Sequence, residues 1–413
     1  MQLVEQHHVY NNHPYYREID ELCLKSKNLY NSCLYVIRQA YLKDKTNLLY
    51  ELHNLMKDTE QYKALPAKVS STVLLMVQKN FKSFFKSLAE YYKTPGKFKG
   101  KPRLPGYLDT TTGRFITAYT NQAISKKIFK KTNRILLSKT NIEFRTRISD
   151  FNQINCIRLV PKLGFYVIEV VYTIDDVVKL DDNNRYLSLD LGVNNLVTCT
   201  SNIKEVTPFI YNGKPLKSMN QYYNNRLAYY NSILDRRNKV GTSKKVRKLH
   251  SKRTNKLNDY LHKVSKELVV SCKNNGINTV IIGKNDNWKQ DTNMGAKNNQ
   301  KFVNIPHSRF IEMVSYKCER EGINVVLQEE SYTSKASFLN LDEIPTYKKG
   351  ESKNHVFSGY RECRGMYKIK DEKTRINADV NGSYNILRKA VPNAFADGIE
   401  GLGVVPVVIT IKR

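Results

Sequence analysis

A single aspartate in an otherwise apolar strand constrains this chain more than any other feature. Residues 185–198 read Arg-Tyr-Leu-Ser-Leu-Asp-Leu-Gly-Val-Asn-Asn-Leu-Val-Thr, so alternating apolar residues put Asp190 at the end of a mostly buried strand. Gly192 then allows a tight turn into a second strand. A buried carboxylate must be hydrogen-bonded, paired or bound to a metal, because an unpaired buried charge is costly. Asp190 therefore either caps a hairpin turn or belongs to a functional site.

Two further stretches place acids at the ends of predicted core elements. Residues 376–389 predict a helix that Asp379 opens, with apolar residues along one side. Residues 323–330 predict a buried strand that ends in Glu329 and Glu330, after a strand and a helix. Functional side chains gather at the carboxyl ends of parallel strands, so these acids and the first aspartate are candidates for one site.

Net charge indicates the kind of partner. The chain of 413 residues has 68 Lys and Arg against 38 Asp and Glu, a formal net charge of +30, which is typical of proteins that bind a polyanion. Mg²⁺ takes oxygen ligands, and two such ions can activate a water and stabilise the leaving oxygen of a phosphodiester. A basic chain that concentrates three acids at one place is therefore expected to bind metal there.

Basic residues cluster on two predicted helices. The helix that begins at Pro66 has one apolar and one basic face, and it leads into the acid-free run at 97–103. A later helix repeats lysine at i, i+4 spacing, which costs a few tenths of a kcal/mol per pair in an isolated helix. These faces are either solvated or neutralised by a phosphate backbone, and we favour the phosphate backbone. The candidate backbone contacts are Lys79, Lys86, Lys97, Lys99, Lys101, Arg103, Lys244, Lys248, Lys252 and Lys256.

Changes of periodicity predict the domain organisation. Helical spacing dominates before residue 105, and short alternating strands between 105 and 174 predict a small barrel or sandwich. The polar, acidic stretch at 175–184 predicts a domain boundary. Two long helices follow between 217 and 275, with a turn at Gly241.

The cysteines and the apolar runs indicate a reducing, aqueous compartment. The seven cysteines form no C-x-x-C pair, so neither a disulfide framework nor a Cys-rich zinc site is indicated. No apolar run approaches a bilayer span, and the first residues do not resemble a leader. We therefore expect a cytoplasmic protein with no membrane partner.

Several motifs together resemble one family. The stretches Leu187-Ser-Leu-Asp-Leu-Gly-Val-Asn194 and Ile376-Asn-Ala-Asp-Val-Asn-Gly-Ser-Tyr-Asn-Ile-Leu387 resemble the first and third motifs of a RuvC-type nuclease. Tyr332-Thr-Ser-Lys-Ala-Ser337, Arg103-Leu-Pro-Gly-Tyr107 and Tyr119-Thr-Asn-Gln122 are similar to other landmarks of TnpB. This is the transposon-encoded OrfB family, considered ancestral to type V CRISPR effectors. The resemblance spans nearly the whole chain.

The resemblance implies a multidomain α+β fold. A small wedge-like β-barrel would comprise residues 1–14 and 105–182, with a helical recognition lobe inserted at 15–104. An RNase H-like (RuvC) α/β nuclease domain would follow at 183–413, with an insert at 331–372 at a degenerate zinc-ribbon position.

The resemblance also implies a function. It implies a Mg²⁺-dependent, RNA-guided endonuclease of a transposon that cuts double-stranded DNA beside a short flanking motif, using two Mg²⁺ ions. The expected partners are a guide noncoding RNA and the target DNA, in a monomeric ribonucleoprotein associated with the prokaryotic nucleoid. The alternatives are a nuclease-inactive RNA-guided DNA-binding protein and a non-catalytic nucleic-acid-binding accessory of transposition.

The chain departs from the family pattern at the second acid. The usual glutamate would fall at Gly283, but some relatives carry it on the following strand, which here gives Glu330 with Glu329 as its rival and Asp286 as a loop alternative. Adjacent parallel strands lie about 4.8 Å apart, within reach of a glutamate side chain. We choose Glu330 for its position before the Tyr-Thr-Ser motif. The predicted catalytic and metal-binding set is Asp190, Glu330 and Asp379.

Two smaller expectations follow from the family pattern. A zinc ribbon needs paired cysteines, but Ala336 and Phe338 stand there and Cys363 is alone, so we predict no zinc and a hairpin at 357–367 held by packing. Thr120 and Asn121, with Lys82 nearby, match the positions where the family reads its DNA motif. Asn can pair with adenine and Thr can touch a thymine methyl, although the same pair could simply stabilise a turn.

Overall fold

The computed structural model describes residues 1–44, 48–237, 242–284, 305–347, 355–363, 365–370 and 373–411. The chain divides into two compact units, Met1–Asp176 and Val177–Arg413, and the division falls at the start of the polar stretch predicted as a boundary. Among the described residues, no helix combines the length and the apolar character needed to cross a membrane. The predicted turn residue Gly241 and the alternative ligand Asp286 lie outside the described residues.

The N-terminal unit combines two long helices with an antiparallel sheet. Its strands are β1 (Gln2–Val9), β2 (Thr117–Thr120), β3 (Arg134–Leu136), β4 (Glu143–Arg145), β5 (Ile154–Pro161) and β6 (Tyr166–Thr173). Its helices are α1 (Tyr16–Asp44), α2 (Leu52–Met56), α3 (Glu60–Lys63), α4 (Ala67–Lys93) and α5 (Lys126–Thr132). Four strands form one sheet in the order β1-β6-β5-β2, and β3 pairs with β4. The residues described therefore show an open sheet and a hairpin, and the barrel stays a prediction.

Helix α4 forms where the sequence predicted an amphipathic helix. Pro66 precedes its first turn, where a missing N–H does no harm. The side chains at steps of three and four are buried: Val69, Val73, Val77, Phe81 and Phe84. This face packs on α1 and β2, and the Thr72 hydroxyl donates to the Ala118 carbonyl of β2 at 3.1 Å. The basic face of α4 remains exposed.

The C-terminal unit is built around a mixed sheet. Its strands are β7 (Tyr186–Leu191), β8 (Asn195–Ser201), β9 (Phe209–Asn212), β10 (Thr279–Gly283), β11 (Asn324–Gln328), β12 (Gly359–Cys363), β13 (Met366–Ile369), β14 (Arg375–Asn377) and β15 (Val407–Ile409). Its helices are α6 (Lys214–Arg236), α7 (Lys244–Asn274), α8 (His307–Arg320) and α9 (Ala378–Ala390).

The sheet order is β11-β10-β7-β8-β9-β15. Strands β7, β8 and β9 form an antiparallel meander, whereas β10 runs parallel to both β7 and β11. The parallel pair predicted from the strand–helix–strand order is therefore present. The apolar tail supplies the edge strand β15, which pairs parallel to β9.

Strand β11 differs from its prediction. It was predicted as a buried strand that ends in two glutamates, but it lies at the sheet edge, with Val326 and Leu327 42% and 51% exposed. The strand also ends at Gln328, so Glu329 and Glu330 follow it. An edge strand has a neighbour on one side only, which explains why an apolar run of this length stays half exposed.

The three-stranded sheet β12-β13-β14 carries the insert against α9. Ala336 and Phe338, which stand where the family would have zinc ligands, are fully buried, and the Phe338 ring stacks on Tyr384 of α9 at 4.2 Å. The Asp342 carboxylate accepts hydrogen bonds from the Ser337 and Ser358 N–H groups at 2.7 and 2.9 Å. An aromatic stack and a shared carboxylate thus connect the insert segments to one another and to α9.

Candidate active site

Strand alternation aims Asp190 at α9. Leu187, Leu189 and Leu191 belong to the core under α7 and α8, whereas Tyr186 packs with residues of α9 on the opposite face. Successive side chains of a strand point to opposite faces, so Asp190 shares the α9 face with Tyr186. A Cβ at Gly192 would lie 2.5 Å from the Asn195 carbonyl oxygen, so the turn after β7 requires glycine.

Small side chains let α9 approach this strand closely. The Ser188 hydroxyl donates to the Ser383 carbonyl of α9 at 2.7 Å. A Cβ on Gly382 would lie 3.0 Å from Asp190 Oδ2, tighter than nearly all real contacts. A Cβ at Gly382 would require the Asp190 carboxylate to shift by a few tenths of an ångström, so Gly382 and Ser383 both belong to the close contact between α9 and β7.

Asp379 lies in the first turn of α9. The Asn377 side chain caps the helix by accepting from the Asp379 and Val380 N–H groups at 3.0 and 3.1 Å. The Asp379 carboxylate accepts a hydrogen bond from Asn195 Nδ2 at 2.7 Å and from Arg361 Nη2 at 2.8 Å. Its two oxygens are therefore oriented by one residue of β8 and one of β12.

The structure separates the two adjacent glutamates. Glu329 Oε2 forms an ion pair with Lys389 Nζ at 2.6 Å, and its other oxygen accepts from the Ser331 N–H at 2.6 Å. Burial raises the pKa of Glu329, but the hydrogen bonds from Lys389 and Ser331 outweigh it and the net shift is downward. Glu330 instead lines the cavity that contains Asp190 and Asp379.

Gly283 lies beside the Glu330 carboxylate. An ideal Cβ on Gly283 would lie 2.7 Å from Glu330 Oε2 and 2.6 Å from Ile386 Cδ1. A side chain at this β10 position would therefore collide with the glutamate that arrives from the end of β11. The missing acid on β10 and the acid after β11 are alternatives for the same space.

The three acids share a polar cavity of about 300 Å³. Burial, followed by the charges of Glu330 and Asp379, raises the pKa of Asp190 well above its usual range, against an opposing effect of Arg361. Burial, followed by the charge of Glu329, raises the pKa of Glu330 to about 7. Desolvation and mutual repulsion both destabilise the ionised forms of these carboxylates, so a positive charge nearby would stabilise them.

The donor chemistry of this cavity suits a hard divalent cation, which prefers carboxylate oxygens. Even so, among the residues that the structure describes, no group of three or more His, Cys, Asp or Glu side chains is arranged around one common metal position. In the same cavity, Asn195 and Arg361 each donate a hydrogen bond to one oxygen of the Asp379 carboxylate. The cavity thus brings together the three predicted acids, which the described residues do not arrange as a metal centre.

Sequence reasoning missed Arg361. Its Nη2 atom lies 2.8 Å from Asp379 Oδ1, and the residue lines the acidic cavity from β12. No spacing or motif distinguishes this arginine from the other basic residues of the polar insert. Only the fold of the β12–β13 hairpin brings it to the acids.

The basic candidates are exposed, and their environments differ. On α4, Lys82 lies over the Tyr50 ring at 5.4 Å. Lys97 pairs with Glu90 at 3.0 Å, and Lys101 lies over the Tyr92 ring at 5.3 Å. The remaining N-terminal candidates Lys79, Lys86, Lys99 and Arg103 are exposed. These residues belong to the N-terminal unit, whereas the three acids belong to the C-terminal unit.

The four lysines predicted on the second basic helix lie on one face of α7. Lys244, Lys248, Lys252 and Lys256 are all exposed at i, i+4 spacing. None of the four forms an ion pair with another residue of the described chain. Like charges that no acid neutralises are consistent with an external anion.

Thr120 and Asn121 lie where β2 ends and a short 3₁₀ turn begins. The Thr120 hydroxyl is buried and makes no hydrogen bond within the described part of the chain. Thr120 also provides no side-chain cap to the turn, and Asn121 is exposed. Within the described chain, no hydrogen bond of the Thr120 side chain therefore supports the interpretation that this Thr-Asn pair stabilises a turn.

Comparison with known proteins places both acidic motifs within matched segments. The OrfB_IS605 family model, described as a probable transposase, matches residues 169–289. The model of the Cas12f1-like TNB domain matches residues 307–386. The first match contains Asp190, and the second contains Glu330 and Asp379.

One curated relative and several solved structures are similar to this chain. The TnpB-like protein ORF457 of Acidianus two-tailed virus is 23% identical over 215 residues, which are 50% of this chain and 42% of the relative. The match therefore spans less than half the length of that relative. A cryo-EM structure of a Cas12f1–sgRNA–target DNA complex has 15% identity and a TM-score of 0.35, and covers 93% of this chain and 98% of its own. The mini-RNA-guided endonuclease CRISPR-Cas_phi3 has 9% identity and a TM-score of 0.49, and covers 95% of this chain and 92% of its own. The two family matches and the curated relative confirm the resemblance inferred from the motifs: over the matched segments the chain is similar to TnpB-like proteins.

Proposed function

We propose that this TnpB-like chain is an RNA-guided endonuclease that cleaves double-stranded DNA beside a short flanking motif. The observation that carries the proposal is the cavity in which Asp190, Glu330 and Asp379 meet from three separate elements. The meander β7-β8-β9, with β10 and β11 parallel to β7, supports an RNase H-like (RuvC) arrangement for residues 183–413. Acids at the end of the first strand and the start of the last helix fit that arrangement.

Asp190, Glu330 and Asp379 would hold two Mg²⁺ ions. Bound there, the ions would supply activation of the attacking water and stabilisation of the leaving oxygen of the phosphodiester. The chain's own residues orient these ligands: Asn195 and Arg361 fix the Asp379 carboxylate, and Lys389 holds Glu329 out of the cavity. Arg361 is a cation within reach of the same space, so it can also contact an incoming phosphate.

The nucleic acid would be bound by the basic surfaces and recognised in two ways. A guide RNA would specify the target by base pairing, so the protein would have to read only a short duplex motif. Thr120, Asn121 and Lys82 are the proposed readers of that motif, since α4 and the end of β2 pack together. The barrel of residues 1–14 and 105–182 and the recognition lobe of residues 15–104 remain the proposed subdivision of the N-terminal part.

A nuclease-inactive, RNA-guided DNA-binding protein is the second candidate. The observation that favours it is that no three-ligand metal group is found in the described residues, with Asp379 engaged by Arg361. In this case Asp190, Glu330 and Asp379 would not catalyse phosphodiester hydrolysis, while the basic surfaces would still bind RNA and DNA.

Sequencing of the RNA that co-purifies with the full chain, followed by reprogrammed cleavage, tests the proposal. We expect one abundant noncoding RNA, and we expect the chain to aggregate without it. Replacing the guide portion should redirect cleavage to a matching target in a library with randomised flanks and Mg²⁺. A stable, RNA-free monomer that cuts a defined DNA would contradict RNA guidance, and guide-dependent binding without cleavage would favour the nuclease-inactive protein.

A further inference from the structure

A second cavity lies between α6 and α7 and shares no lining residue with the acidic cavity. Its volume is about 290 Å³, close to the lower end of the range of roughly 300–1,000 Å³ for small-molecule sites. From α6 it is lined by Met219 and Tyr222, and from α7 by Leu249, Lys252 and Lys256. The lining thus combines apolar walls, one aromatic ring and two lysines.

The Tyr222 ring is the unusual element of this lining. It is 60% exposed, although it stands beside an apolar concave surface that could have buried it. Lys252 and Lys256 are exposed on the next helix, one turn apart, and neither forms an ion pair in the described chain. An exposed ring beside unneutralised lysines is the combination that single-stranded nucleic acids use, with bases on the ring and phosphates on the cations.

The base of the cavity is held rigid. Arg253 Nε donates to Asn220 Oδ1 at 2.7 Å, and its guanidinium lies over the Tyr223 ring with 4.7 Å to the centroid. The Tyr223 hydroxyl contacts His250 Nδ1 at 2.9 Å. Burial lowers the pKa of Arg253, against a smaller opposing effect of Tyr223. The Arg253 guanidinium is therefore a partly desolvated cation whose plane is fixed, which suits contact with the edge or the phosphate of a planar ligand.

We propose that this cavity holds one unstacked nucleotide of a single-stranded nucleic acid, with its base on the Tyr222 ring and its flanking phosphates on Lys252 and Lys256. An acidic peptide would use the lysines but would give the exposed ring no flat partner, so the ring selects a nucleobase. The proposal rests on the nucleic-acid-binding part of the proposed function and is independent of cleavage. Guide RNA and displaced DNA strand offer the same chemistry here.

Fluorescence anisotropy with labelled six-nucleotide strands tests the proposal on the fraction of the full chain that stays in solution after its co-purifying nucleic acid is removed in high salt, with aggregates cleared by centrifugation before each titration. Each strand is used as RNA and as DNA, and each with an abasic counterpart that keeps the sugar-phosphate backbone. The wild type should bind the intact strand about 10-fold more tightly than the abasic strand, within the range for one base stacked on an aromatic ring. Tyr222→Ala should remove this preference and Tyr222→Phe should keep it.

Matched variants separate stacking from charge. Tyr35 of α1 is 59% exposed, so Tyr35→Ala removes an equally exposed helical tyrosine and should leave the base preference unchanged. Lys252→Gln should weaken intact and abasic strands alike and lower the salt slope of log K by about 0.7. Lys263→Gln should not, because Lys263 is paired with Asp259 at 3.0 Å.

Two results would overturn the proposal: a wild type that binds both strand types equally, or a Tyr222→Ala variant that keeps the preference. The comparison of RNA with DNA strands identifies the source of the nucleotide. The strand assay measures binding alone, so it does not depend on cleavage. A wild type that shows the base preference but never cuts a guide-matched DNA would refute the nuclease and leave this site standing.

Discussion

Adding one methyl group at Gly283 should disturb the acidic cavity. The new Cβ in Gly283→Ala would lie 2.7 Å from Glu330 Oε2 and 2.6 Å from Ile386 Cδ1, whereas ordinary contacts begin at 3.4 Å. To restore a contact of 3.4 Å, Glu330 Oε2 must move away by roughly 0.7 Å (3.4 − 2.7) and Ile386 Cδ1 by roughly 0.8 Å (3.4 − 2.6). Ile386 is 1% exposed and has little room to move. Overpacking of this kind destabilises by about 1–3 kcal/mol.

The variant should show two effects. The melting temperature should fall by about 2–10 °C, and Mg²⁺-dependent, guide-directed cleavage should fall by up to about 100-fold, since a misplacement near 1 Å has that effect on catalysis. Gly96→Ala is the matched control, because nothing lies within 4 Å of a Cβ at Gly96. If Gly283→Ala melts and cuts like the control, the inferred competition between Gly283 and Glu330 for one space is wrong.

Three further predictions address the motif reader, the N-terminal unit and the position of the acid. Asn121→Ala should relax the flanking-motif preference in a randomised-flank cleavage assay, and an unchanged preference would remove Asn121 from that role. Asp20→Asn should lower stability by about 1–2 kcal/mol after allowance for solvent exposure, because Arg114 donates to both Asp20 oxygens at 2.8 and 2.9 Å. The Arg114 hydrogen bond lowers the pKa of Asp20 in the folded protein below its ordinary value of 3.8. In thermal melts, the stability advantage of the wild type over Asp20→Asn should therefore be complete above pH 3.8 and shrink as the pH falls through the lower pKa of the folded protein. An advantage that does not change with pH would contradict this. Glu330→Ala combined with Gly283→Asp should recover part of the cleavage activity that Glu330→Ala loses. The new carboxylate oxygens lie two bonds beyond a Cβ that would itself lie 2.7 Å from Glu330 Oε2. Cleavage by the double variant no higher than by Glu330→Ala would refute the idea that residues 283 and 330 place a carboxylate in the same space.

Periodicity predicted the core elements because local pattern and burial agree there. Strand β7 alternates and is paired on both sides, so its apolar face, its opposite face and the place of Asp190 follow from the sequence. Strand β11 was predicted as buried because its apolar run looks like that of β10. Only the sheet order distinguishes a central strand from an edge strand, and local sequence does not encode it.

The candidate site was predictable as far as its acids carry motifs. Asp190 and Asp379 stand in recognisable stretches, whereas Glu330 was chosen over Glu329 only for its position before the Tyr-Thr-Ser motif. In the structure, Lys389 engages Glu329 and leaves Glu330 in the cavity. Arg361 comes from a hairpin whose register no sequence pattern specifies. Long-range contacts of this kind appear only once the fold is known.

Cleavage of a guide-matched DNA in Mg²⁺ by four single variants tests the central claim most directly, with guide-dependent binding checked for each. Glu330→Gln should lose cutting as completely as Asp190→Ala and Asp379→Ala, while all three still bind. Glu329→Gln, the neighbouring acid held by Lys389, should cut like the wild type. Normal cutting by Glu330→Gln would contradict the account and transfer the role to another acid, and a wild type that binds but never cuts would refute the nuclease itself.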